Sequence, residues 1–219
     1  MTNSIAPRDK NEAALSTLLA AIRACRACAG VLAHEPRPVL QASATARLLI
    51  AAQAPGRRVH ETGLPFNDPS GDRLRDWLGI DRATFYDPAR VNIVPMGFCF
   101  PGTASRGGDL PPRPECAALW HDRLFAVLPP QSLILVIGRY AQAWHLGDRV
   151  HRTLAETVRH WRDYLPRHLP LPHPSPRNLL WLRRNPWFEA EVVPELRARV
   201  AAILGRAAAP AARSAEGRG

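Results

Sequence analysis

Short apolar segments alternate with stretches of helical periodicity along most of this sequence. The segments are RLLIAAQ (47–53), VNIVPM (91–96), SLILVIG (132–138) and LPRHLPLP (165–172), and we interpret each as a strand. Apolar strands separated by helices indicate a parallel sheet that is covered by helices on both faces. We therefore predict an α/β fold with three α/β/α layers around a short, mainly parallel sheet of four strands.

Helices are predicted between these strands, before the first strand and after the last one. Residues 10–24 have an amphipathic pattern, and Ser70 is assigned as the N-cap of a helix that ends at Gly79. Further helices are expected over 115–128, 139–146, 152–165 and from Asn185-Pro186 onward. The stretch 97–114 is rich in glycine and proline and is predicted to be a long functional loop. We place one domain over residues 1–204 and a disordered tail over 205–219.

The charge of the chain favours a polyanionic partner. Its 219 residues carry a formal net charge of +10, with a pI of about 10.8. Such an excess attracts nucleic acid. No apolar run approaches the roughly 18 residues of a membrane span, and the first residues lack the basic and then apolar order of a secretory signal. We therefore expect a cytoplasmic protein without a membrane partner.

The four cysteines fall into two pairs. Cys25 and Cys28 form a C-x2-C near the N-terminus, and Cys99 and Cys116 form a C-x16-C in the middle of the chain. Four thiolates can surround a tetrahedral metal ion or an iron–sulfur cluster, and a C-x2-C places two ligands on one tight turn. The spacing does not separate zinc from iron–sulfur, nor either of them from four reduced, partly buried thiols.

Three loops are expected at one edge of the predicted sheet. Ligands of open parallel sheets bind beyond the carboxyl ends of the strands. That rule brings together AAQAPG (51–56), the loop after VNIVP, and HPSPRN (173–178). We predict the functional site at this edge.

These loops resemble those of the uracil-DNA glycosylase superfamily, and the cysteine pattern resembles its iron–sulfur branch, family 4. In that branch a motif of the form G-E-[AG]-P-G is followed by [TQ]-G-x-P-F, and here residues 52–56 and 62–66 have the same spacing. The resemblance implies an enzyme that flips uracil out of DNA and hydrolyses its N-glycosidic bond, which starts base excision repair. It also implies a [4Fe–4S] cluster on the four cysteines, with zinc or no metal as alternatives. The expected partner is DNA that contains uracil, and the expected state is a monomer.

The resemblance also assigns roles to individual residues. His173 matches a histidine that stabilises negative charge on the departing base by hydrogen bonding. Asn92 matches an asparagine whose amide pairs with uracil N3–H and O4, and Phe66 matches an aromatic side chain that stacks on the flipped base. The implied base-binding residues are Gln53, Ala54, Phe66, Asn92 and His173.

The first motif departs from the family pattern at three positions. Ala54 stands where the best-studied uracil glycosylases have an aspartate, and Gln53 replaces the family 4 glutamate. Gly56 stands where those enzymes place a tyrosine against the methyl group of thymine, so a broader range of damaged bases is compatible with this sequence.

The first motif therefore offers no carboxylate to position water or supply negative charge, and the reactivity of the oxocarbenium ion toward water makes a strong general base less necessary. Glu61, Asp68, Asp72 and His60 are the candidates in the loop and helix that follow the first motif. The predicted catalytic residues are His173, Gln53, Glu61 and Asp68.

DNA contacts are expected around the last motif. Ser175 is expected to approach a backbone phosphate, and Arg177 or Leu179 to fill the gap left by the flipped base. Arg106, Arg113, Arg183 and Arg184 are candidates for further phosphate contacts. The predicted DNA-binding residues are Pro55, Ser175, Pro176, Arg177 and Asn178.

Two other functions are compatible with these departures. A catalytically weak module that binds damaged DNA would keep the fold without turnover. A zinc-stabilised nucleotide hydrolase of unrelated chemistry is the third possibility.

Overall fold

A four-stranded parallel sheet lies at the centre of the structure, a computed structural model that describes residues 7–105 and 107–205. The strands are β1 (Leu48–Ala51), β2 (Val91–Ile93), β3 (Leu133–Ile137) and β4 (His168–Leu171). Their order is β2-β1-β3-β4, and every neighbouring pair is parallel. Strand β2 therefore lies on one side of β1, and β3 and β4 follow on the other side. The predicted α/β fold is confirmed, and its sheet is entirely parallel.

Helices connect the strands and cover the sheet. They are α1 (Pro7–Arg23), α2 (Arg57–Thr62), α3 (Pro69–Leu78), α4 (Arg82–Phe85), α5 (Pro114–Val127), α6 (Gly138–Leu146), α7 (Leu154–Arg159), α8 (Leu179–Arg184) and α9 (Val193–Ile203). Short 3-10 turns occupy Gly147–Arg149, Trp161–Tyr164 and Pro176–Asn178, and a π-helical turn at Phe188–Val192 leads into α9. In the part of the chain that the structure describes, no helix is long and apolar enough to cross a membrane.

Side chains of the strands alternate between two apolar cores. Leu48 and Ile50 of β1 pack on one face with α3, α4 and α9, whereas Leu49 and Ala51 pack on the other with α1, α5 and α6. All residues of β1 and β3 are buried, which explains why their sequences are continuous apolar runs.

Helix α3 begins earlier than predicted. Its N-cap is Asp68, whose Oδ1 accepts the backbone N–H of Gly71 at 2.9 Å, and Pro69 occupies the first turn. Ser70 is instead a buried residue inside the helix. The predicted end at Gly79 is confirmed, with the left-handed φ of 66° that favours glycine there.

The C-terminal segment also differs from the prediction. Helix α8 follows HPSPRN directly, although no helix was predicted between that motif and Asn185. The helical segment expected after Pro186 starts with the π-helical turn before α9.

The predicted long loop contains a small hairpin over residues 102–110. Its two sides are joined where Leu110 N–H donates to Gly102 O and Ala104 N–H donates to Gly108 O, both at 2.8 Å. Thr103 and Asp109 form an antiparallel bridge between these bonds. We refer to this segment as the 102–110 hairpin; its Arg106 lies outside the described residues.

The predicted tail is described only at Gly205, and residues 206–219 lie outside the described part of the chain. The division into one domain over 1–204 and a tail stays a prediction.

Candidate active site

The three predicted loops meet around a cavity of about 240 Å³ at the carboxyl edge of the sheet. One wall comes from the turn after β1, a second from the 102–110 hairpin, and a third from the turn after β4. The lining residues include Ala54, Pro55, Gly56, Phe66, Asp68, Asp109, His173, Ser175 and Arg177. We call this space the base cavity.

His173 follows β4 and lines the base cavity. Its Nδ1 accepts the backbone N–H of Ser175 at 3.2 Å, so the neutral imidazole carries its hydrogen on Nε2. Across the described residues, this is the one hydrogen bond that the ring of His173 makes, and it leaves Nε2 without a protein partner. Burial lowers the pKa of His173 below its usual 6.5, and Asp68 only partly opposes this shift. His173 is therefore a neutral hydrogen-bond donor at physiological pH.

Side chains from two other elements fix the loop that carries His173. Asn178 Nδ2 donates to the carbonyl of His173 at 2.7 Å. Arg73 of α3 donates to the carbonyls of Pro174 and Ser175, each at 3.2 Å. Sequence reasoning missed Arg73, because nothing local indicates that a helical arginine reaches a loop about a hundred residues later. The imidazole is thus held in place before any ligand binds.

Phe66 presents its ring to the base cavity from a strained backbone. Its φ of 53° lies in the left-handed region, which is unusual for a bulky residue. The carbonyl of Phe66 lies against Gly71, where an ideal Cβ would be 1.8 Å from that oxygen. The ring packs edge-on against Phe85, with centroids 6.1 Å apart. Strain of this kind is concentrated at functional sites.

Two carboxylates border the base cavity at Gly56. An ideal Cβ on Gly56 would lie 3.4 Å from Asp109 Oδ2 and 4.0 Å from Asp68 Oδ2. Partial burial of the carboxyl raises the pKa of Asp109; Arg177 opposes the rise, and Asp68 adds to it. Asp68 was predicted as a water-positioning candidate. Asp109 was not, because it becomes part of the site only when the 102–110 hairpin folds against the sheet edge.

The family model of the Uracil DNA glycosylase superfamily matches residues 40–197. This range includes the sheet, the 102–110 hairpin and every wall of the base cavity. The chain belongs to the uracil DNA glycosylase superfamily. Membership supports a DNA glycosylase, a hydrolase of DNA repair whose partner is DNA.

Asn92 does not reach the base cavity of this superfamily member. It is fully buried in β2, where Oδ1 accepts Ser43 N–H at 2.8 Å and Nδ2 donates to Gln131 Oε1 at 3.3 Å. Its neighbour Ile93 lines the cavity instead, because successive side chains of a strand point to opposite faces. The expectation that Asn92 reads the base is therefore corrected: its amide connects β2 to two neighbouring segments.

Gln53 also differs from its expected position. Its Nε2 donates to the carbonyl of Leu110 at 3.2 Å, which attaches the 102–110 hairpin to the turn after β1. The side chain lines a neighbouring groove that shares His173 with the base cavity. Gln53 therefore holds one wall of the cavity, whereas Ala54 lines the cavity directly, as expected.

Three of the four candidates for positioning water lie away from the base cavity. Glu61 is exposed on α2, and its carbonyl accepts a hydrogen bond from Arg37. Asp72 forms an ion pair with Arg75 on α3, and the ring of His60 packs against His34. Only Asp68 of this group lines the cavity, so the expectation for Glu61 is corrected.

The predicted DNA-binding residues differ in their exposure. Pro55, Ser175 and Arg177 line the base cavity, but Pro55 is buried, Ser175 is half-buried and only Arg177 is exposed. Pro176 is exposed at the start of a 3-10 turn, whereas Asn178 points inward to the carbonyl of His173. Leu179 and Leu180, the next two residues, expose 42% and 56% of their surface, so apolar side chains stand beside the mouth. Of the other arginine candidates, Arg113 is engaged in an ion pair with Glu115.

All four cysteines line a second, mainly apolar cavity, which we call the cysteine cavity. It lies between the end of α1, the segment after β2 and the start of α5. Cys116 Sγ accepts the backbone N–H of Phe98 at 3.3 Å. Burial raises the pKa of Cys99 to about 11 and that of Cys116 to about 12, and backbone N–H groups oppose the shift. Thiols in this environment stay protonated unless a bound cation takes the place of their protons.

The donor set of the cysteine cavity fits a cluster. Four thiol groups in an apolar cavity with an N–H···S hydrogen bond are typical of iron–sulfur ligation. Among the described residues, no group of three or more histidine, cysteine or acidic side chains is arranged to hold a metal ion. The four cysteines line one cavity, and the cluster stays a prediction.

Proposed function

We propose that this protein excises uracil from DNA by hydrolysing its N-glycosidic bond. The observation that carries the proposal is the position of His173. A neutral imidazole with an unpartnered Nε2–H lines the same cavity as Phe66, whose backbone has a left-handed φ.

The two side chains suit the two requirements of base excision. Uracil departs as an anion, with negative charge on its O2, and a fixed N–H donor stabilises that charge most in the transition state. Because Asn178 and Arg73 hold the loop, the donor needs no rearrangement when the bond breaks. An aromatic ring in the same cavity provides a stacking surface for a base that has left the duplex.

The charge around the mouth suits the substrate. Arg57 and Arg177 line the base cavity, and the chain carries a formal net charge of +10. Phosphate contacts position the strand and make affinity decrease as salt concentration rises.

Groups other than the Asn92 amide must select the base. The amide of Asn92 is engaged inside the sheet, and Ala54 and Gly56 contribute little side chain to the cavity wall. Gly56 has no side chain to contact a methyl group at position 5 of the pyrimidine, and the space beside it is bordered by the carboxylates of Asp109 and Asp68. We therefore include thymine, hypoxanthine and xanthine among the substrates to be tested.

We further propose that Cys25, Cys28, Cys99 and Cys116 hold a [4Fe–4S] cluster. The mainly apolar lining of the cysteine cavity and the hydrogen bond from Phe98 N–H to Cys116 Sγ support a cluster. The cluster would supply a structural cross-link between the end of α1, the segment after β2 and α5. Equal amounts of iron and acid-labile sulfide in purified protein would support it, and stoichiometric zinc would contradict it.

An excision assay tests the proposed activity. A duplex with a single uracil is incubated with the protein and then with alkali, and cleavage of the strand reports an abasic site. We expect cleavage by the wild type and a rate about 10²–10³-fold lower for His173→Ala, the usual effect of losing one charge-stabilising donor. His160→Ala, at an exposed histidine outside the cavity, is the matched control and should retain the wild-type rate.

Wild-type protein that binds this duplex without cutting it would overturn the proposal. That result would instead support the module that binds damaged DNA, for which the absence of a carboxylate at Gln53 and Ala54 is the supporting observation.

A further inference from the structure

The 102–110 hairpin places one carboxylate at the base cavity. Asp109 forms the antiparallel bridge with Thr103, so its backbone position is fixed within the hairpin. Two side chains attach the hairpin to the first motif: Gln53 Nε2 donates to Leu110 O at 3.2 Å, and Arg57 Nη2 donates to Thr103 Oγ1 at 3.4 Å. The side chain of Asp109 lines the same cavity as His173.

The other carboxylate at this wall is already engaged. Asp68 Oδ1 accepts the Gly71 N–H and caps α3, which leaves only Oδ2 towards Gly56. Asp109 Oδ2 lies closer to the same point. Among the described residues, burial and nearby charges act on the pKa of its carboxyl, and no hydrogen bond does. The residue as a whole is exposed, so water reaches the carboxylate.

We propose that Asp109 is a catalytic residue of this glycosylase, whose carboxylate orients the attacking water and accepts its proton. This inference rests on the proposed function. It assigns the step for which the first motif, with Gln53 and Ala54, provides no carboxylate.

The bond between C1′ of the sugar and N1 of uracil breaks, and its electron pair leaves with the base, whose charge the Nε2–H of His173 stabilises. The water oxygen forms a new bond to C1′, which carries cationic character, and one water proton passes to the carboxylate of Asp109. That proton then reaches the uracil anion through solvent, which leaves neutral uracil and an abasic site.

Burial raises the pKa of the Asp109 carboxyl, and two nearby arginines oppose this rise. Arg177 and Arg57 face the carboxylate from the last motif and from α2, and Asp68 faces it from the start of α3. Arg177 lies close to the hairpin, because an ideal Cβ on Gly108 would be 3.2 Å from its Nη1. The carboxylate of Asp109 also stabilises positive charge that develops on the sugar.

The test compares Asp109→Asn, Asp109→Glu and the wild type in single-turnover excision across pH, together with binding of uncleaved DNA. We expect Asp109→Asn to excise uracil at least about 10²-fold more slowly, the lower range for loss of a general base. The acid limb of its pH–rate profile should disappear, DNA affinity should change little, and Asp109→Glu should recover part of the rate. Glu12→Gln, at an exposed carboxylate of α1 outside the cavity, is the control and should behave as the wild type.

Two further results complete the test. Added formate should partly restore excision by Asp109→Ala, because a free carboxylate can take the vacated position. If Asp109→Asn keeps the wild-type rate, or loses rate with an unchanged acid limb and no rescue by formate, the assignment of Asp109 is overturned while the proposed function stands. A wild type that excises no base overturns both.

Discussion

Replacing Gly71 by alanine tests how the backbone holds Phe66. An ideal Cβ at Gly71 would lie 1.8 Å from the carbonyl oxygen of Phe66, 2.7 Å from its carbonyl carbon and 2.9 Å from its Cβ. Ordinary contacts begin at 3.4 Å, so the backbone at Phe66 must move by roughly 1.6 Å. All three contacts are to atoms of residue 66 at or next to its backbone, so no flexible side chain can absorb the clash.

Two effects of opposite sign compete in Gly71→Ala. In a helix without tertiary contacts the change stabilises by about 1 kcal/mol. Overpacking of a closely packed site costs about 1–3 kcal/mol and sometimes more, and here a strained residue must also move. We expect a net loss of about 2 kcal/mol, which corresponds to a decrease in Tm of about 4–8 °C for a chain of this size.

The functional effect of Gly71→Ala should exceed its effect on stability. A displacement of about 1 Å at a positioning group can lower a rate about 10²-fold, so we expect at least this loss in uracil excision. Thermal melts and single-turnover excision measure the two effects. Gly147→Ala is the matched control: it has a left-handed φ of 56° and no atom within 4 Å of an ideal Cβ, so it should cost stability without affecting excision. A Gly71→Ala protein that is as stable and as active as the wild type would refute the reasoning.

Three further predictions concern polar groups with internal partners. Burial lowers the pKa of His121 from 6.5 to about 4, so the wild type loses stability as pH falls below about 6.5. From neutral pH to about pH 5 the wild type should lose about 2 kcal/mol more stability than His121→Gln, and equal losses in thermal melts would contradict this. Asn92→Ala should lower stability by about 1–3 kcal/mol without changing the preference between uracil and cytosine, since its amide has buried partners; an altered preference would contradict its position in β2. Asn178→Ala should lower excision tenfold or more by releasing the carbonyl of His173, whereas an unchanged rate would show that the loop is held without it.

The fold was predictable because its central strands are covered on both faces. β1 and β3 lie inside the molecule, so each is an uninterrupted apolar segment, and the helices between them carry their own periodicity. The residue at which a helix begins was harder to predict from the local sequence. Asp68 and Ser70 can both cap a helix, and only the observed Asp68–Gly71 hydrogen bond distinguishes them.

The site was predictable only where a motif stays contiguous in sequence. His173, Ala54 and Phe66 belong to such motifs and line one cavity. The direction of Asn92 depends on the register of β2, since a shift of one residue exchanges the two faces of a strand. Asp109 depends on the docking of a glycine-rich hairpin through contacts with distant segments, and no local pattern encodes those contacts.

We propose that the base cavity holds a base removed from DNA. A crystal structure of the protein with uracil and DNA that contains an abasic site would show whether it does. We expect uracil stacked on Phe66 with its O2 within hydrogen-bond distance of His173 Nε2. Uracil in the neighbouring groove lined by Tyr140 and Trp181, or outside the base cavity altogether, would contradict it.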